Sequence, residues 1–138
     1  MPILVIIRSD ILIGRGLMKD AGTEIAKRLP NAKATVITDE TVAENYLAPL
    51  TESLKSVGIE IDPLVLTPGE KTKNYENMET ACDHILKCKL ERGDAVIALG
   101  GGVIGDLTGF AAGIVRRGIK FIQVSSKYTG YKTCIFET

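Results

Sequence analysis

The sequence contains few of the residue types on which many functional sites depend. It has one histidine, His84, three cysteines and no tryptophan. Three thiols cannot form a closed set of disulfides, and with a single histidine they argue against a zinc site built from several His or Cys ligands. We therefore expect free, mostly buried thiols. His84 lies in a predicted helix and is expected to be half-buried rather than a catalytic base.

Net charge and long apolar runs are also absent. The 138-residue chain balances 17 basic residues against 17 acidic ones, which argues against electrostatic binding of nucleic acid. No apolar run reaches the roughly 18 residues that a membrane-spanning helix needs, and the N-terminus lacks the positive region of a signal peptide. The sequence therefore predicts a cytoplasmic protein with no membrane partner. Its length and its 45% hydrophobic content predict one domain with its own core.

The alternation of short apolar runs with helical patterns predicts an α/β fold. Strands are predicted at residues 3–7, 11–13, 34–38, 59–66, 94–99 and 119–124. Helices are predicted between them, at 17–29, at 41–58 with a break at Pro49, across 78–93, and at 106–115. The 41–44 segment fits a capping box, so a helix is expected to start at Thr41. The class is a Rossmann-like, mainly parallel sheet with helices on both faces, and the final residues, 125–138, are expected to be poorly ordered.

A glycine-rich turn is the strongest functional signal. The strand at 94–99 runs into Gly100, Gly102 and Gly105, which satisfy G-x-G-x-x-G in a strand–turn–helix context. Such glycines let the backbone approach a pyrophosphate, and N–H groups at the helix start then face the phosphates. A tight turn that only packs closely remains the alternative. No acid follows about 20 residues later to hold a ribose; the nearest candidates, Asp39 and Glu40, lie upstream.

Two charged segments leave alternatives open. Glu70 and Lys73 lie on a predicted loop. One interpretation is that they bind the ribose or base edges of a ligand, and the other is that they form the solvent-exposed start of a helix. Arg116 and Arg117 would meet a phosphate or else complement the dipole at a helix end.

Residues 99–112, LGGGVIGDLTGFAA, and 117–124, RGIKFIQV, closely resemble the 3-dehydroquinate synthases. Shorter matches at 13–17, 36–42 and 68–73 follow in the same order, so the resemblance covers about residues 11–124. It implies an NAD-binding domain at 1–124 and a divergent tail at 125–138. It also implies the parent activity, a lyase reaction of the shikimate pathway. There NAD assists phosphate elimination and cyclisation of 3-deoxy-D-arabino-heptulosonate 7-phosphate, and a divalent metal, zinc or cobalt, polarises the alcohol.

The resemblance also implies roles for individual residues. It places the adenosine ribose beside Asp39 and Thr41, the pyrophosphate on the glycine turn, the nicotinamide half near Asp106 and the substrate near Arg117. Ser126 and Lys127 stand where the family has a pair of NAD-contacting threonines. The cofactor-binding residues implied in this way are Asp39, Thr41, Glu70, Lys73, Gly101, Gly102, Val103, Asp106, Ser126 and Lys127.

The resemblance ends at Val124. The family's substrate-binding lysines and aspartate do not follow, nor does the helical second domain with its metal ligands, so no complete catalytic set and no metal site are expected. A frameshifted, mis-spliced or truncated product is one hypothesis. The chain is expected to be inactive alone and to bind NAD weakly, because the family's cofactor lies between two domains. The alternatives are another sugar-phosphate cyclase, of the 2-deoxy-scyllo-inosose or valiolone synthase type, or a non-catalytic remnant that binds NAD or a partner; the resemblance also allows a homodimer.

Overall fold

The computed structural model describes residues 9–14, 17–115, 119–128 and 131–137, with side chains at 19–69, 71–115 and 119–124. Its strands are β1 (Ser9–Gly14), β2 (Ala34–Asp39), β3 (Leu64–Leu66), β4 (Ala95–Leu99), β5 (Lys120–Tyr128) and β6 (Tyr131–Glu137). Its α-helices are α1 (Leu17–Arg28), α2 (Glu40–Val42), α3 (Ala48–Ser56), α4 (Tyr75–Lys87) and α5 (Gly102–Ile114). A π-helical segment, Ala43–Leu47, joins α2 to α3, and a 3₁₀ turn, Glu70–Thr72, precedes α4. The strand predicted at 3–7 lies outside the described residues.

The strands form one sheet in the order β1-β6-β5-β4-β2-β3. The four strands β5, β4, β2 and β3 run parallel, whereas β6 pairs antiparallel with both β5 and β1. Parallel neighbours need crossover connections, and the helices between them provide these. The predicted α/β fold with a mainly parallel sheet is confirmed.

Both faces of the sheet are covered. The central strand β4 is buried at every position, as expected when helices pack on both sides. Its residues Ala95, Ile97 and Leu99 join a core with α1 and α3, while Val96 and Ala98 join a second core with α4 and α5. The glycine turn therefore follows a strand whose residues are all buried.

The helix after β2 begins differently from the prediction. The capping-box prediction at Thr41 was wrong, because Asp39, the last residue of β2, is already the N-cap of α2. Its Oδ1 accepts a hydrogen bond from the Val42 N–H at 2.9 Å. Pro49 does mark a change of helix type, since it lies in the first turn of α3, directly after the π-helical segment. The helical path is not broken there, since Leu47 and Ala48 both keep right-handed helical φ and ψ angles.

Two other segments, 59–66 and 125–137, also differ from the prediction. Of the extended segment predicted at 59–66, only β3 forms a strand, and it lies at an edge of the sheet. Pro63, directly before it, suits an edge because proline has no N–H to donate to a neighbouring strand. Residues 125–128 continue β5 and 131–137 form β6, although their sequence shows no strand periodicity. Backbone pairing with β1 and β5 therefore determines their conformation. In the part of the chain that the structure describes, no helix is long and apolar enough to cross a membrane.

Candidate functional site

The glycine turn follows β4 without a gap. Gly100 has φ +154°, a conformation that favours glycine, and its N–H donates to the Val124 carbonyl at 3.0 Å. Gly105 lies inside α5, where a Cβ would come within 3.0 Å of the Gln123 Cδ and collide with the end of that carboxamide. Gly102 faces open space, and a Cβ there would meet nothing within 4 Å. The first and third glycines of the motif therefore serve the turn and the packing, while the second leaves room for a ligand.

The start of α5 is suited to an anion. Its N-cap is Gly101, which has no side chain to accept from the N–H groups of the first turn. The Gly105 N–H donates to the Gly101 carbonyl at 2.9 Å, which is the first hydrogen bond of the helix. The N–H groups of Gly102, Val103 and Ile104 lie before it and are the donors without a partner inside the helix. Unsatisfied N–H groups and the helix dipole both favour negative charge at this position.

The sheet order brings an acid to this turn from upstream. Strand β2 lies beside β4, with Thr38 opposite Leu99. The buried Thr38 hydroxyl donates to the Leu99 carbonyl at 2.7 Å, which ties the ends of the two strands together. Asp39 follows directly and is half-buried. In dinucleotide-binding α/β folds, an acid at the end of the strand beside the glycine strand usually binds a ribose. Here that neighbouring strand, β2, comes before the glycine strand in the sequence.

A loop at residues 67–74 forms the opposite wall. Its backbone is held by side chains of the loop and of α4. The buried Thr72 donates to the Thr67 carbonyl, and Asn77 of α4 donates to the Thr72 carbonyl at 2.7 Å. Asn74 then caps α4 by accepting from the Asn77 N–H at 2.8 Å. Lys73 is therefore presented from a hydrogen-bonded loop rather than from a free one.

These elements enclose a cavity of about 420 Å³ above the glycine turn. Its lining residues are Asp39, Val42, Gly69, Lys73, Gly101, Gly102, Val103, Ile104 and Asp106. This volume lies within the range of about 300–1,000 Å³ that small-molecule sites occupy. Lys73 and Asp106 also border a second, largely apolar groove of about 460 Å³ between α4 and α5. The lysine ammonium and the aspartate Oδ2 are 2.8 Å apart, so an ion pair lies at the border of the two spaces.

The structure brings together most of the predicted cofactor-binding residues that it describes. The cavity lining includes Asp39, Lys73, Asp106 and the glycine-turn residues predicted from the sequence. Thr41, in contrast, is exposed on α2 and is not part of that lining. Arg117 and the side chains of Glu70, Ser126 and Lys127 lie outside the described residues, so their roles remain predictions.

Sequence reasoning missed several residues of the cavity. Gly69 has φ +111° and lines it, and the Pro68-Gly69 pair is a turn signal that pointed to this position. Val42 and Ile104 also line it, but ordinary apolar residues in predicted helices carry no signal of that kind. Thr38 was predicted only as a strand residue, because its bond to the Leu99 carbonyl depends on strand order.

His84 does not line the cavity, and its side chain is half-buried, as expected. It belongs to α4, and its Nε2 lies 2.9 Å from the Thr35 hydroxyl and 2.8 Å from the Asp62 carbonyl. Cys82 and Cys88 are free thiols, as predicted, but both are half-buried rather than buried. The side chain of Cys134 lies outside the described residues. No group of three His, Cys, Asp or Glu side chains within the described ranges could hold a metal ion.

Comparison with protein families gives this arrangement a context. A family model described as 3-dehydroquinate synthase N-terminal matches residues 63–132, a span that includes the 67–74 loop and the glycine turn. The chain belongs to the 3-dehydroquinate synthase family. The 3-dehydroquinate synthase of Rhizobium rhizogenes is 64% identical over 115 residues, and that of Brucella anthropi is 52% identical over 115 residues. Each match covers 83% of this chain and 30% of the relative, so the chain spans about a third of the length of these family members.

Solved structures agree on the fold. A 2-deoxy-scyllo-inosose synthase matches 82% of this chain and 31% of its own, with a TM-score of 0.73 and 24% identity. The 2-epi-5-epi-valiolone synthase of Streptomyces hygroscopicus, solved with NAD⁺ and Zn²⁺ bound, matches 80% of this chain and 30% of its own, with a TM-score of 0.69 and 27% identity. The α/β fold described above is therefore shared with these two synthases.

Proposed function

We propose that this chain supplies the NAD-binding part of a 3-dehydroquinate synthase, and that the glycine-turn cavity is the site of the pyrophosphate. The observation that carries this proposal is the uncapped start of α5, whose N–H groups open into a cavity lined by Asp39 and Lys73. Sequence identity of 64% to the Rhizobium rhizogenes enzyme favours this activity over that of the other cyclases, for which the identity is 27% or lower among the solved structures above.

The residues present fit NAD. A pyrophosphate needs close access to the backbone of such a turn. Gly102 leaves this access open, because a Cβ there would meet no protein atom within 4 Å. Gly101, Gly102 and Val103 would bind the pyrophosphate, Lys73 would neutralise part of its charge, and Asp39 would accept from the ribose hydroxyls. When bound, NAD supplies reversible hydride transfer. The part played by this chain is to bind and orient the cofactor.

The other parts of the parent reaction are not matched by the described residues. The sequence has one histidine, which is bonded within the fold, and no metal-holding cluster occurs among the residues that the structure describes. The divalent metal therefore does not fit here, and we assign no chemical step to this chain. The substrate proposed for the whole enzyme is the sugar phosphate of the 3-dehydroquinate synthase reaction, with Arg117 as one contact. A cytoplasmic location and a homodimer belong to the same proposal.

Nuclear magnetic resonance of the ¹⁵N-labelled chain during an NAD titration tests this proposal. We expect saturable shifts of the backbone signals of Gly101, Gly102, Val103 and Asp39, while signals around Gly58, at the other end of the sheet, stay unchanged. Shifts confined to other regions, or no saturable shifts, would contradict the proposed site. The same preparation, supplied with NAD, zinc and the sugar phosphate, is expected to form no 3-dehydroquinate.

A further inference from the structure

The end of α4 carries two side chains of the types that bind metal ions, His84 and Cys88. They are four residues apart, and the Cys88 N–H donates to the His84 carbonyl at 3.0 Å, so one helical turn fixes their separation. The His84 Nε2 and the Cys88 Sγ lie 3.6 Å apart. Both side chains are half-buried, so neither is sealed inside the core.

The distance between these two donor atoms suits a tetrahedral metal ion. Zn²⁺ binds thiolate at about 2.3 Å and imidazole nitrogen at about 2.1 Å, which places two such donors about 3.5 Å apart in a tetrahedral site. The observed 3.6 Å therefore requires almost no movement of either side chain. Thiolate with imidazole is a ligand set for Zn²⁺ and its softer relative Cd²⁺, whereas Mg²⁺ and Ca²⁺ prefer oxygen ligands.

Hydrogen bonds orient the imidazole and leave it able to bind an ion. The Asp62 carbonyl, 2.8 Å from the His84 Nε2, can only accept, so this nitrogen carries the proton of the neutral ring. The Thr35 hydroxyl donates to the same carbonyl at 2.8 Å. An ion at Nε2 would move the ring proton to Nδ1 and remove one of the two bonds to the carbonyl. The carbonyl stays paired, because the bond from Thr35 remains.

We propose that His84 and Cys88 form a two-ligand site for a thiophilic divalent ion of the Zn²⁺ type, with water completing the coordination. On binding, the Cys88 thiol releases its proton to solvent, and the thiolate and the neutral imidazole each donate an electron pair to the ion. The site is separate from the proposed NAD cavity, since neither residue lines that cavity. It also differs from a centre with three protein ligands, of which the described ranges contain none.

The single histidine of the sequence provides a direct test. Its imidazole signals are unique in a proton magnetic resonance spectrum of the full chain, prepared reduced and without an affinity tag. Titration with zinc chloride should shift these signals saturably, at one ion per chain. Cys88→Ser should weaken this binding at least about tenfold, because a hydroxyl is a poorer zinc ligand than a thiolate and even outer partners of a metal contribute that much. Unchanged signals at millimolar zinc, or equal affinity in Cys88→Ser, would overturn the proposal.

Cys82 supplies the matched control, because it is also a half-buried free thiol on α4. It lies two positions from His84 and so on a different face of the helix. Cys82→Ser should therefore bind zinc like the wild type. Equal losses of affinity in Cys82→Ser and Cys88→Ser would mean that the ion binds thiols without regard to the histidine, and the proposal would be wrong.

Cadmium gives an independent readout, since cadmium–thiolate bonds absorb in the ultraviolet. The wild type and Cys82→Ser should develop this absorption at the same cadmium concentration. His84→Gln keeps a side-chain N–H for the Asp62 carbonyl but loses the ligand, so it should need at least about tenfold more cadmium. Wild-type behaviour of His84→Gln would contradict the site. Neither titration contains NAD, so these results are independent of whether the glycine-turn cavity binds the cofactor.

Discussion

Asp39 combines two tasks that a single substitution series can separate. Its Oδ1 caps α2 at 2.9 Å from the Val42 N–H, and the side chain also lines the cavity. Asp39→Ala should lower the free energy of unfolding by about 1 kcal/mol, the usual cost of losing an N-cap. Asp39→Asn should leave it unchanged, because the amide oxygen accepts the same bond, while both variants weaken NAD binding. Urea unfolding measures the first effect and calorimetry the second.

The control for this pair is Glu52→Gln, which changes an exposed acid on α3. It should alter neither quantity. Equal losses of stability in Asp39→Asn and Asp39→Ala would contradict the capping role.

Cys82 provides a prediction about pH. Burial raises the pKa of the Cys82 thiol, and the neighbouring Asp83 carboxylate raises it further. Less thiolate is then present at a given pH, and the thiolate is the reactive form. In a Cys88→Ser, Cys134→Ser background, iodoacetamide should therefore modify Cys82 more slowly at pH 8 than it modifies a small free thiol. Mass spectrometry follows the rate.

Asp83→Asn should speed this reaction at pH 8 but not at a pH at which the thiol is fully ionised. An acceleration of the same size at every pH would mean that access, and not ionisation, limits the reaction.

At the scale of single residues, the sequence predicted the site where chemistry forces a residue type. Gly102, Asp39 and Lys73 line the cavity, and the glycine motif and the charge pattern had singled them out. Gly101 and Asp106 also line it, and only the family resemblance implied them. Thr41 and Val42 show the limit of such reasoning. Val42 lines the cavity and Thr41 does not. The two differ by one helix position, and α2 starts at Glu40 rather than at the predicted Thr41.

At the scale of elements, α1 and α3 cross at a glycine. A Cβ on Gly22 would lie 2.6 Å from the Ser53 carbonyl carbon, and the Gly22 N–H donates to the Ser53 hydroxyl at 2.9 Å. That hydroxyl in turn donates to the Lys19 carbonyl at 2.7 Å. Two backbones in such close contact leave no room for a side chain.

Gly22→Ala should therefore lower the free energy of unfolding by about 1–3 kcal/mol, the range for overpacking a core. Gly113→Ala is the matched control, since Gly113 also lies in a helix but faces open space. It should be neutral or stabilising by up to about 1 kcal/mol through helix propensity. Chemical denaturation of both variants checks this, and equal effects would contradict the close crossing.

The elements themselves were predictable where periodicity is long. Strand β4 and helix α1 follow from apolar spacing that one or two buried faces impose. Helix α4 was predicted in the same way, but its ends were wrong, since it spans Tyr75–Lys87 and not 78–93. The π-helical segment Ala43–Leu47 and strand β6 were not predictable in this way. The first has no distinct sequence pattern, and the second forms through pairing with strands far away in the chain.

At the scale of the whole molecule, sheet order connects the fold to the proposed function. The order β5-β4-β2 places the ends of β4 and β2 side by side, so the glycine turn and Asp39 meet although they lie far apart in sequence. The parallel core thus brings the residues of the proposed nucleotide site together at one end of the sheet. We propose that this end binds NAD through the glycine turn.

Calorimetric titration of NAD into the wild-type chain and into Gly102→Val tests that claim most directly. A Cβ at 102 would meet no protein atom within 4 Å, and the branched side chain of valine extends from there into the space proposed for the pyrophosphate. Gly113→Val, at the far end of the same helix, is the control for helix propensity. We expect saturable binding to the wild type and to Gly113→Val, and binding to Gly102→Val that is weaker by at least about tenfold, or 1.4 kcal/mol. Wild-type affinity in Gly102→Val, or no binding to the wild type at millimolar NAD, would contradict the account.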